Sequence, residues 1–314
     1  MLKKLTISVM VAYSANSFAM SDCRKIVDED ERLACYEGSE TSNTKAPADF
    51  DLDAMTISEI VRYFDVRELF QLSPHLPNYI LPASYNDKPN EEIWQQIKPD
   101  AELNHTEVKF QLSGKIKFWD DLYNDNWDFW FGYTQTSWWQ LYNSDESAPF
   151  RETNYTPEFF ASYYSNINIL GLTLVETDLG FIHQSNGRAE ALSRSWNRIY
   201  ADFQLAKGNF LLSLKPWYRI PEDDEDDDNP DIHKFLGYGE ARLTYKQDQH
   251  LYSLLLRNNL ASDNKGAVEF SWAFPIYRGL KGYFQYYNGY GESLIDYDHY
   301  VNRASLGILI YDWL

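Results

Sequence analysis

Three polar side chains have the types and spacing that nucleophilic catalysis requires. Ser185 is a weak nucleophile until a base takes its proton, and His183, two residues earlier, is the natural base. Asn197 could hold the imidazole in the correct tautomer, which is the task that a carboxylate performs in Ser-His-Asp triads. These residue types together point to hydrolysis through a covalent serine intermediate.

The alternation of apolar and polar residues indicates that the three side chains lie on two neighbouring strands. Residues two apart in a strand point the same way, so His183 and Ser185 share the apolar face of Phe181. Asn197 has the parity of Ile199 on the next predicted strand, and therefore shares that face. Polar groups on a lipid-facing surface are costly and usually functional. The alternative is that they lie at the aqueous rim, where polar side chains cost little.

The same alternation extends from about residue 72 to the end of the chain. Charged residues such as Glu176, Asp178 and Arg198 fall on the polar parity, and Tyr and Trp are frequent near strand ends. Long strands with one apolar and one charged face are typical of a transmembrane barrel with lipid outside and a polar network inside. We therefore predict an all-β fold, a twelve-stranded antiparallel transmembrane β-barrel with a short N-terminal periplasmic segment. The predicted strands lie near 74–86, 107–118, 127–142, 158–170, 172–185, 194–206, 209–220, 234–247, 250–260, 266–277, 280–291 and 300–313.

The connections between these strands alternate between short and long. Gly171, the Lys207-Gly208 region and Gln249 lie in tight turns. Short periplasmic turns and long outer loops are typical of outer-membrane barrels. The pattern therefore predicts that the longer segments 143–157, 186–193 and 221–233 lie at the extracellular rim.

The composition excludes several classes of protein. The 314 residues carry a formal net charge of −19, which disfavours general nucleic-acid binding because phosphate contacts need a basic surface. Aromatic residues make up 17% of the chain, which argues against extensive disorder. There is no apolar run long enough for a spanning helix. A membrane barrel is still compatible with the sequence, because barrel strands give weaker hydrophobic signals.

The N-terminus has the pattern of a secretory signal peptide. Lys3 and Lys4 precede a short apolar stretch, and cleavage is expected after Ala19, although a buried helix is the alternative. In an exported chain Cys23 and Cys35 favour a disulfide over a redox or metal role. Helical spacing over 57–70 suggests one short amphipathic helix. The predicted organisation is a signal peptide over 1–19, a periplasmic segment over 20–70 and a catalytic transmembrane barrel over 71–314.

Longer motifs around the three polar residues resemble the bacterial outer membrane phospholipase A family. The stretches His183–Arg188 and Ser193–Arg198 closely resemble the signature of that family. Further similar motifs occur in the same order across about 107–314: Tyr133–Gln135 with Ser137–Gln140, Pro149–Tyr155, Lys215–Tyr218, Asp228–Ile232 and Gly289–Tyr297.

The resemblance implies a calcium-dependent esterase that acts on the sn-1 and sn-2 acyl chains of phospholipids and is active as a homodimer. It implies Ser185 as nucleophile, His183 as base and Asn197 as the residue that orients the base. Calcium prefers oxygen ligands. By position the resemblance assigns Ser193 as a hydroxyl ligand of calcium, Arg188 as a backbone-carbonyl ligand, Ser147 as a carbonyl supplied by the partner subunit and Asp228 as an acid linked to a second calcium site.

Gln135 is the candidate residue of the dimer interface. It shares its parity with Phe131 and Tyr133, so it is expected to face lipid, where a lone amide should find a partner across an interface. A glutamine at the headgroup level is the alternative. The resemblance favours the interface, because the family has a buried glutamine at this position.

The chain also departs from the family pattern. Glu190 stands where the family often has Asp, the chain ends at Leu314 rather than at Phe, and the acidic loop 221–231 is longer than usual. A charge run of this kind is usually a solvated loop, with weak binding of divalent cations as the alternative.

A non-enzymatic outer-membrane barrel, such as a porin or scaffold, remains the second hypothesis for the whole protein. A soluble secreted lipase is disfavoured because Ser185 does not lie in a G-x-S-x-G turn.

Overall fold

The computed structural model describes residues 56, 57, 61, 69–96, 99–121, 126–223, 225, 227–277 and 279–311. The chain divides into two compact units, Met1–Leu52 and Asp53–Leu314, and the described residues all belong to the second. The predicted signal peptide and the pair Cys23 and Cys35 lie outside the described residues.

Twelve antiparallel strands close into a barrel, which confirms the predicted fold class. Each strand pairs with its neighbours in sequence, and the ring closes where the last strand pairs with the first long one. A two-residue strand, β1 (Leu72–Ser73), adds a further pairing. The barrel strands are β2 (Asn78–Asn86), β3 (Thr106–Asp121), β4 (Trp127–Trp139), β5 (Phe150–Ile169), β6 (Leu172–Ser185), β7 (Ser195–Lys207), β8 (Phe210–Ile220), β9 (Gly239–Gln247), β10 (His250–Asn258), β11 (Gly266–Tyr277), β12 (Leu280–Tyr290) and β13 (Tyr300–Tyr311).

Among the described residues, three short helical segments lie between the strands: α1 (Glu91–Gln95), a 3₁₀ turn (Glu190–Leu192) and α2 (His233–Leu236). In the part of the chain that the structure describes, none of the helices has the length and apolar character needed to cross a membrane.

The two surfaces of the barrel wall have opposite character, as the alternation predicted. Leu179, Phe181 and Ile199 point outward and are 49%, 40% and 50% exposed. Glu176 and Asp178, earlier on the strand that carries Leu179, point inward and are buried. Apolar side chains outside and polar side chains inside are the arrangement of a barrel that lies in lipid.

The long connections gather at one end of the barrel, which we call the loop-rich end. The described residues of 87–105, 140–149, 186–194, 221–238 and 291–299 lie there, whereas tight turns such as 170–171 and 208–209 lie at the opposite end. Neighbouring strands run in opposite directions, so alternate connections come to the same end.

Three details of the prediction are wrong. The segment 143–157 is not one loop, because β5 begins at Phe150 and its polar residues pair with β4. The start of β5 has many polar residues because they face the polar interior, and such a composition resembles that of a loop. The segment 234–247 begins with α2, and its strand starts only at Gly239. Val175 has the parity of Phe181, which the alternation assigns to the outer face, but it is buried, since the register shifts beside it and it packs against Ile57 and Val61.

Candidate active site

His183 and Asn197 face each other across a pair of strands on the outer surface. They are directly opposed in the register of β6 and β7. The imidazole Nδ1 lies 2.9 Å from Asn197 Oδ1, and both side chains are partly exposed. The two residues therefore share one face on neighbouring strands, as the alternation predicted. The strand register brings their side chains into contact.

A second hydrogen bond orients the Asn197 amide. Its Nδ2 donates to Glu222 Oε1 at 2.8 Å, and a carboxylate oxygen can only accept when ionised. Asn197 therefore presents its carbonyl oxygen to His183, and the imidazole must donate through Nδ1. Nε2 is then the nitrogen that holds the basic lone pair.

Ser185 lies beside this pair as the last residue of β6. It follows His183 by two residues and points to the same outer face. Its register partners are Tyr155 on β5 and Ser195 on β7. Gly187, just beyond the strand, has a φ of +64°, and a Cβ there would lie 3.1 Å from the Tyr155 ring. The positive φ and the nearby Tyr155 ring together favour glycine at position 187.

A buried asparagine fixes the loop that carries the candidate calcium ligands. Asn186 accepts from the Arg194 N–H at 3.0 Å and donates to the Leu192 carbonyl at 2.8 Å. Leu192 packs with Ile93 and Ile295 in a small apolar cluster. The 186–194 loop is therefore held to the barrel rim by one polar anchor and one apolar anchor.

Two of the four candidate calcium ligands are in direct contact. The Ser193 hydroxyl donates to Asp228 Oδ2 at 2.5 Å, and both side chains lie at the surface of the loop-rich end. The resemblance assigned these residues to two different sites, whereas here their oxygens are neighbours. Hydroxyl and carboxylate oxygens are ligands that calcium accepts, so this pair fits the ion.

Of the other two candidates, Arg188 lies on the same 186–194 loop as Ser193, and Ser147 lies on a different loop. The Arg188 side chain reaches Glu152 Oε2 and the carbonyl of Arg151, which fixes the backbone at this point. Ser147 lies in the 140–149 loop with a φ of +62°, where its N–H donates to the Ser144 carbonyl. Among the described residues, no cluster of three or more His, Cys, Asp and Glu side chains is suited to hold a metal. A site built mainly from hydroxyl and carbonyl oxygens does not need such a cluster.

The acidic loop after β8 is tied to the rim rather than fully solvated. Asn229, which is fully buried, accepts from the Ser195 N–H at 3.0 Å, and Asp227 accepts from Arg219 at 2.5 Å. Tyr297 donates to Asp231 at 2.8 Å. Burial and this hydrogen bond raise the pKa of Tyr297, which keeps the donor protonated. These contacts hold the loop against the start of β7.

Gln135 lies two strands from Ser185 at the same height on the outer surface. It is opposite Tyr155 in the register of β4 and β5, and Tyr155 is in turn opposite Ser185. Two strand spacings correspond to about 10 Å. Its side chain contacts Tyr133 and Ser137, both at 3.3 Å. The candidate interface residue therefore neighbours the candidate nucleophile.

The sequence interpretation did not identify Glu222, Asn186 or Asn229 as site residues. Glu222 is one of a run of acidic residues, and its local spacing does not distinguish it from its neighbours. The dipeptides Asn186-Gly187 and Asn229-Pro230 are turn signals that could have marked the two asparagines as loop anchors.

A closed antiparallel barrel with an apolar outer wall, carrying a serine beside a hydrogen-bonded His-Asn pair, defines a membrane-type barrel with a hydrolase-like site. Comparison with known proteins agrees with this class. The family described as Phospholipase A1 matches residues 62–310. Phospholipase A1 of Klebsiella pneumoniae is 40% identical over 243 residues, which cover 77% of this chain and 83% of that protein. The protein of the same name from Escherichia coli K12 is 38% identical over 77% of this chain and 82% of its own length.

Solved structures show the same likeness. Outer membrane phospholipase A from Escherichia coli superposes with a TM-score of 0.73 at 37% identity, covering 78% of this chain and all of that one. The Salmonella typhi outer membrane phospholipase dimer with bound calcium gives a TM-score of 0.75 at 36% identity, covering 81% and 98% of the two chains. The chain belongs to the phospholipase A1 family, and the predicted resemblance and enzyme class are confirmed.

Proposed function

We propose that this protein is a calcium-dependent phospholipase of the outer membrane that hydrolyses sn-1 and sn-2 acyl esters of phospholipids and lysophospholipids. Ser185 is the nucleophile, His183 the base and Asn197 the residue that orients the base. The observation that carries the proposal is the 2.9 Å contact between His183 and Asn197 on the same outer face as Ser185. Family membership supports the lipid ester as substrate.

The position of the three residues suits a lipid substrate. Phospholipid acyl chains would lie against the apolar outer wall, where Leu179, Phe181 and Ile199 are exposed. Ser185 ends β6 at the loop-rich end, so its hydroxyl lies near the level where an ester meets the headgroup region. A site inside the barrel would instead require the lipid to leave the bilayer.

The reaction follows from the protonation of His183. Nε2 takes the Ser185 hydroxyl proton as the serine oxygen attacks the ester carbonyl carbon. The tetrahedral intermediate expels the glycerol oxygen, which receives that proton from the imidazolium, and an acyl-serine remains. A water molecule then attacks the acyl carbon, His183 takes its proton, and the fatty acid leaves as the serine oxygen is reprotonated. Asn197 keeps Nδ1 as the donor throughout, so Nε2 stays directed to the reaction.

Calcium would be held by the Ser193 hydroxyl, the Arg188 carbonyl and the Asp228 carboxylate, together with the Ser147 carbonyl of a second subunit. The contact between Ser193 and Asp228 supports this assignment. Bound calcium would supply positive charge beside the oxyanion that develops during acyl transfer. The hydrogen bonds of Asn186 and Asn229 keep the loops that carry these oxygens next to β7.

A homodimer is the proposed active form, with Gln135 at its interface. Gln135 and Ser185 are both opposite Tyr155 in the strand register, about 10 Å apart, which supports a second subunit that borders the acyl site. An outward amide gains a partner when such an interface forms. The related Salmonella typhi protein was solved as a dimer with bound calcium. Activity would then depend on subunit association.

The proposed location is the bacterial outer membrane, which the chain would reach through its predicted N-terminal signal peptide. The barrel with its apolar outer wall supports membrane embedding. The solved relatives are described as outer membrane phospholipases. A non-enzymatic porin or scaffold finds no support, because family membership identifies an enzyme.

The test is fatty-acid release from phospholipid in mixed micelles by the refolded protein. Calcium, a chelator and the Ser185→Ala variant are compared on the same preparation. We expect release that requires both calcium and Ser185. Release by Ser185→Ala at the wild-type rate would overturn the nucleophile, and equal release in chelator would overturn the calcium dependence.

A further inference from the structure

We propose that Glu222 is a positioning residue that sets the orientation of the Asn197 amide and, through it, the tautomer of His183. This inference rests on the proposed catalytic roles of those two residues and extends them to the acidic loop. The juxtaposition that carries it is the 2.8 Å hydrogen bond from Asn197 Nδ2 to Glu222 Oε1.

An asparagine is an ambiguous partner for a catalytic histidine. Its side chain has a carbonyl oxygen that accepts and an amino group that donates, and a half-turn of the amide exchanges them. With the amino group toward His183, Nδ1 would hold the lone pair and Nε2 the proton. The imidazole could then not accept the serine proton at Nε2, so the amide orientation decides whether the base is correctly poised.

Glu222 removes this ambiguity. An ionised carboxylate accepts and does not donate, so it selects the amide orientation that directs Nδ2 to Glu222 and Oδ1 to His183. A hydrogen bond to a charged acceptor is about twice as strong as a neutral one. Polarisation along the chain Glu222–Asn197–His183 also makes Oδ1 a better acceptor, since linked hydrogen bonds reinforce each other.

The backbone places Glu222 there without a long side-chain reach. Asn197 is opposite Ile220 in the register of β7 and β8, so Glu222 follows its register partner by two residues. Pro221 lies between them and restricts the backbone through its fixed φ. Further along, Asn229 and Asp227 tie the same loop to Ser195 and Arg219. Glu222 is partly buried, unlike the exposed Glu225 of the same loop.

The experiment compares Glu222→Met with Glu222→Gln in the full-length refolded protein at saturating calcium. Methionine keeps the length of the side chain but accepts no strong hydrogen bond, whereas glutamine keeps an accepting oxygen. The substrate is a short-chain p-nitrophenyl ester below its critical micelle concentration, so that kcat and KM are separately defined. We expect kcat to fall about tenfold in Glu222→Met with KM unchanged, and to stay within about threefold of wild type in Glu222→Gln.

The matched control is Glu225→Ala, which removes one negative charge from the same loop at an exposed position. It should leave kcat unchanged. A double-mutant cycle with Asn197→Ala supplies the decisive comparison, because Glu222 acts only through that amide. Adding Glu222→Met to Asn197→Ala should change kcat less than twofold.

Three results would overturn the inference: an unchanged kcat in Glu222→Met, an equal loss in Glu225→Ala, or full additivity in the cycle. If Glu222→Met does not fold, Glu222→Ala replaces it in the same comparison. Failure of the proposed function has a different signature, since the wild-type protein would then lack activity that depends on Ser185.

Discussion

Two polar clusters lie at the loop-rich end of the barrel, one inside the wall and one outside. The inner cluster joins three carboxylates to three cations: Glu107, Glu292 and Asp296 with Lys109, Arg151 and Arg303. Its members are almost completely buried, and most of them form several contacts. The outer cluster is partly exposed, and each of its acids accepts from a neutral side chain, Asn197 on Glu222 and Ser193 on Asp228.

We interpret the difference between the clusters as one between a structural role and the proposed catalytic role. Buried charges must be compensated, so the inner cluster balances its charges and fills the barrel under the loops. The outer acids accept hydrogen bonds from neutral side chains, which suits them to orient an amide or to hold a cation. The inner cluster should therefore control stability, and the outer cluster should control turnover.

The largest expected effect is on turnover, from His183→Ala. Without the proposed base, Ser185 would keep its proton, and we expect kcat to fall on the order of 10⁴-fold. The free energy of unfolding should stay the same, because the side chain is partly exposed and belongs to no core cluster in the described chain. Fatty-acid release and urea unfolding of the same sample check both parts. A large loss of stability would contradict the separation.

The next effect is on stability, from Arg303→Met. The guanidinium pairs with Glu107 and Glu292, both at 2.8 Å, so its loss leaves buried carboxylates undercompensated. We expect the free energy of unfolding to fall by about 3 kcal/mol, while the specific activity of the folded fraction is retained. Arg242→Met is the matched control, since Arg242 is partly exposed and lies 3.9 Å from Glu269. Equal losses in the two variants would argue against a special inner cluster.

Acid should weaken the inner cluster in a defined pH range. Burial opposes ionisation of Glu292, but Arg303 and Lys109 outweigh it and lower the pKa of this carboxyl from 4.5 to about 2. A depressed folded-state pKa gives stability above the unfolded pKa that is lost as pH falls through the folded pKa. The free energy of unfolding should therefore decline from about pH 4.5 to pH 2, and Glu292→Gln should flatten that decline. An unchanged slope in the variant would contradict the assignment.

The smallest expected effect is on association, from Gln135→Ala. One hydrogen bond within a membrane contributes about 0.6 kcal/mol, so the dissociation constant of the dimer should rise about threefold. Sedimentation equilibrium in detergent with calcium measures it. Asn288→Ala is the control, because Asn288 is another outward amide on the distant strand β12. If both variants associate as the wild type does, Gln135 is not at the interface.

The alternation of residue types was sufficient for the fold and for the outer face of the site. It placed His183, Ser185 and Asn197 together because side-chain direction in a strand depends only on parity and register. It failed at Phe150–Pro157, where a polar strand facing a polar interior resembles a loop. It also failed at Val175, where a bulge reverses the parity.

The contacts made by loops could not be predicted from the sequence. The bonds from Asn197 to Glu222 and from Ser193 to Asp228 join segments about 25 and 35 residues apart, and no local periodicity encodes them. The resemblance proposed Ser193 and Asp228 as ligands without showing that they touch. Long-range contacts of this kind depend on how the loops pack over the rim.

Covalent labelling shows whether the outer cluster activates Ser185, as we propose. The refolded protein is treated with an alkyl sulfonyl fluoride in mixed micelles with calcium, and the adduct is located by mass spectrometry. We expect one adduct, on Ser185, that disappears in His183→Ala while Arg303→Met still forms it. Labelling of Ser185 at the same rate in His183→Ala, or an adduct on other serines instead, would show that the outer cluster does not activate Ser185.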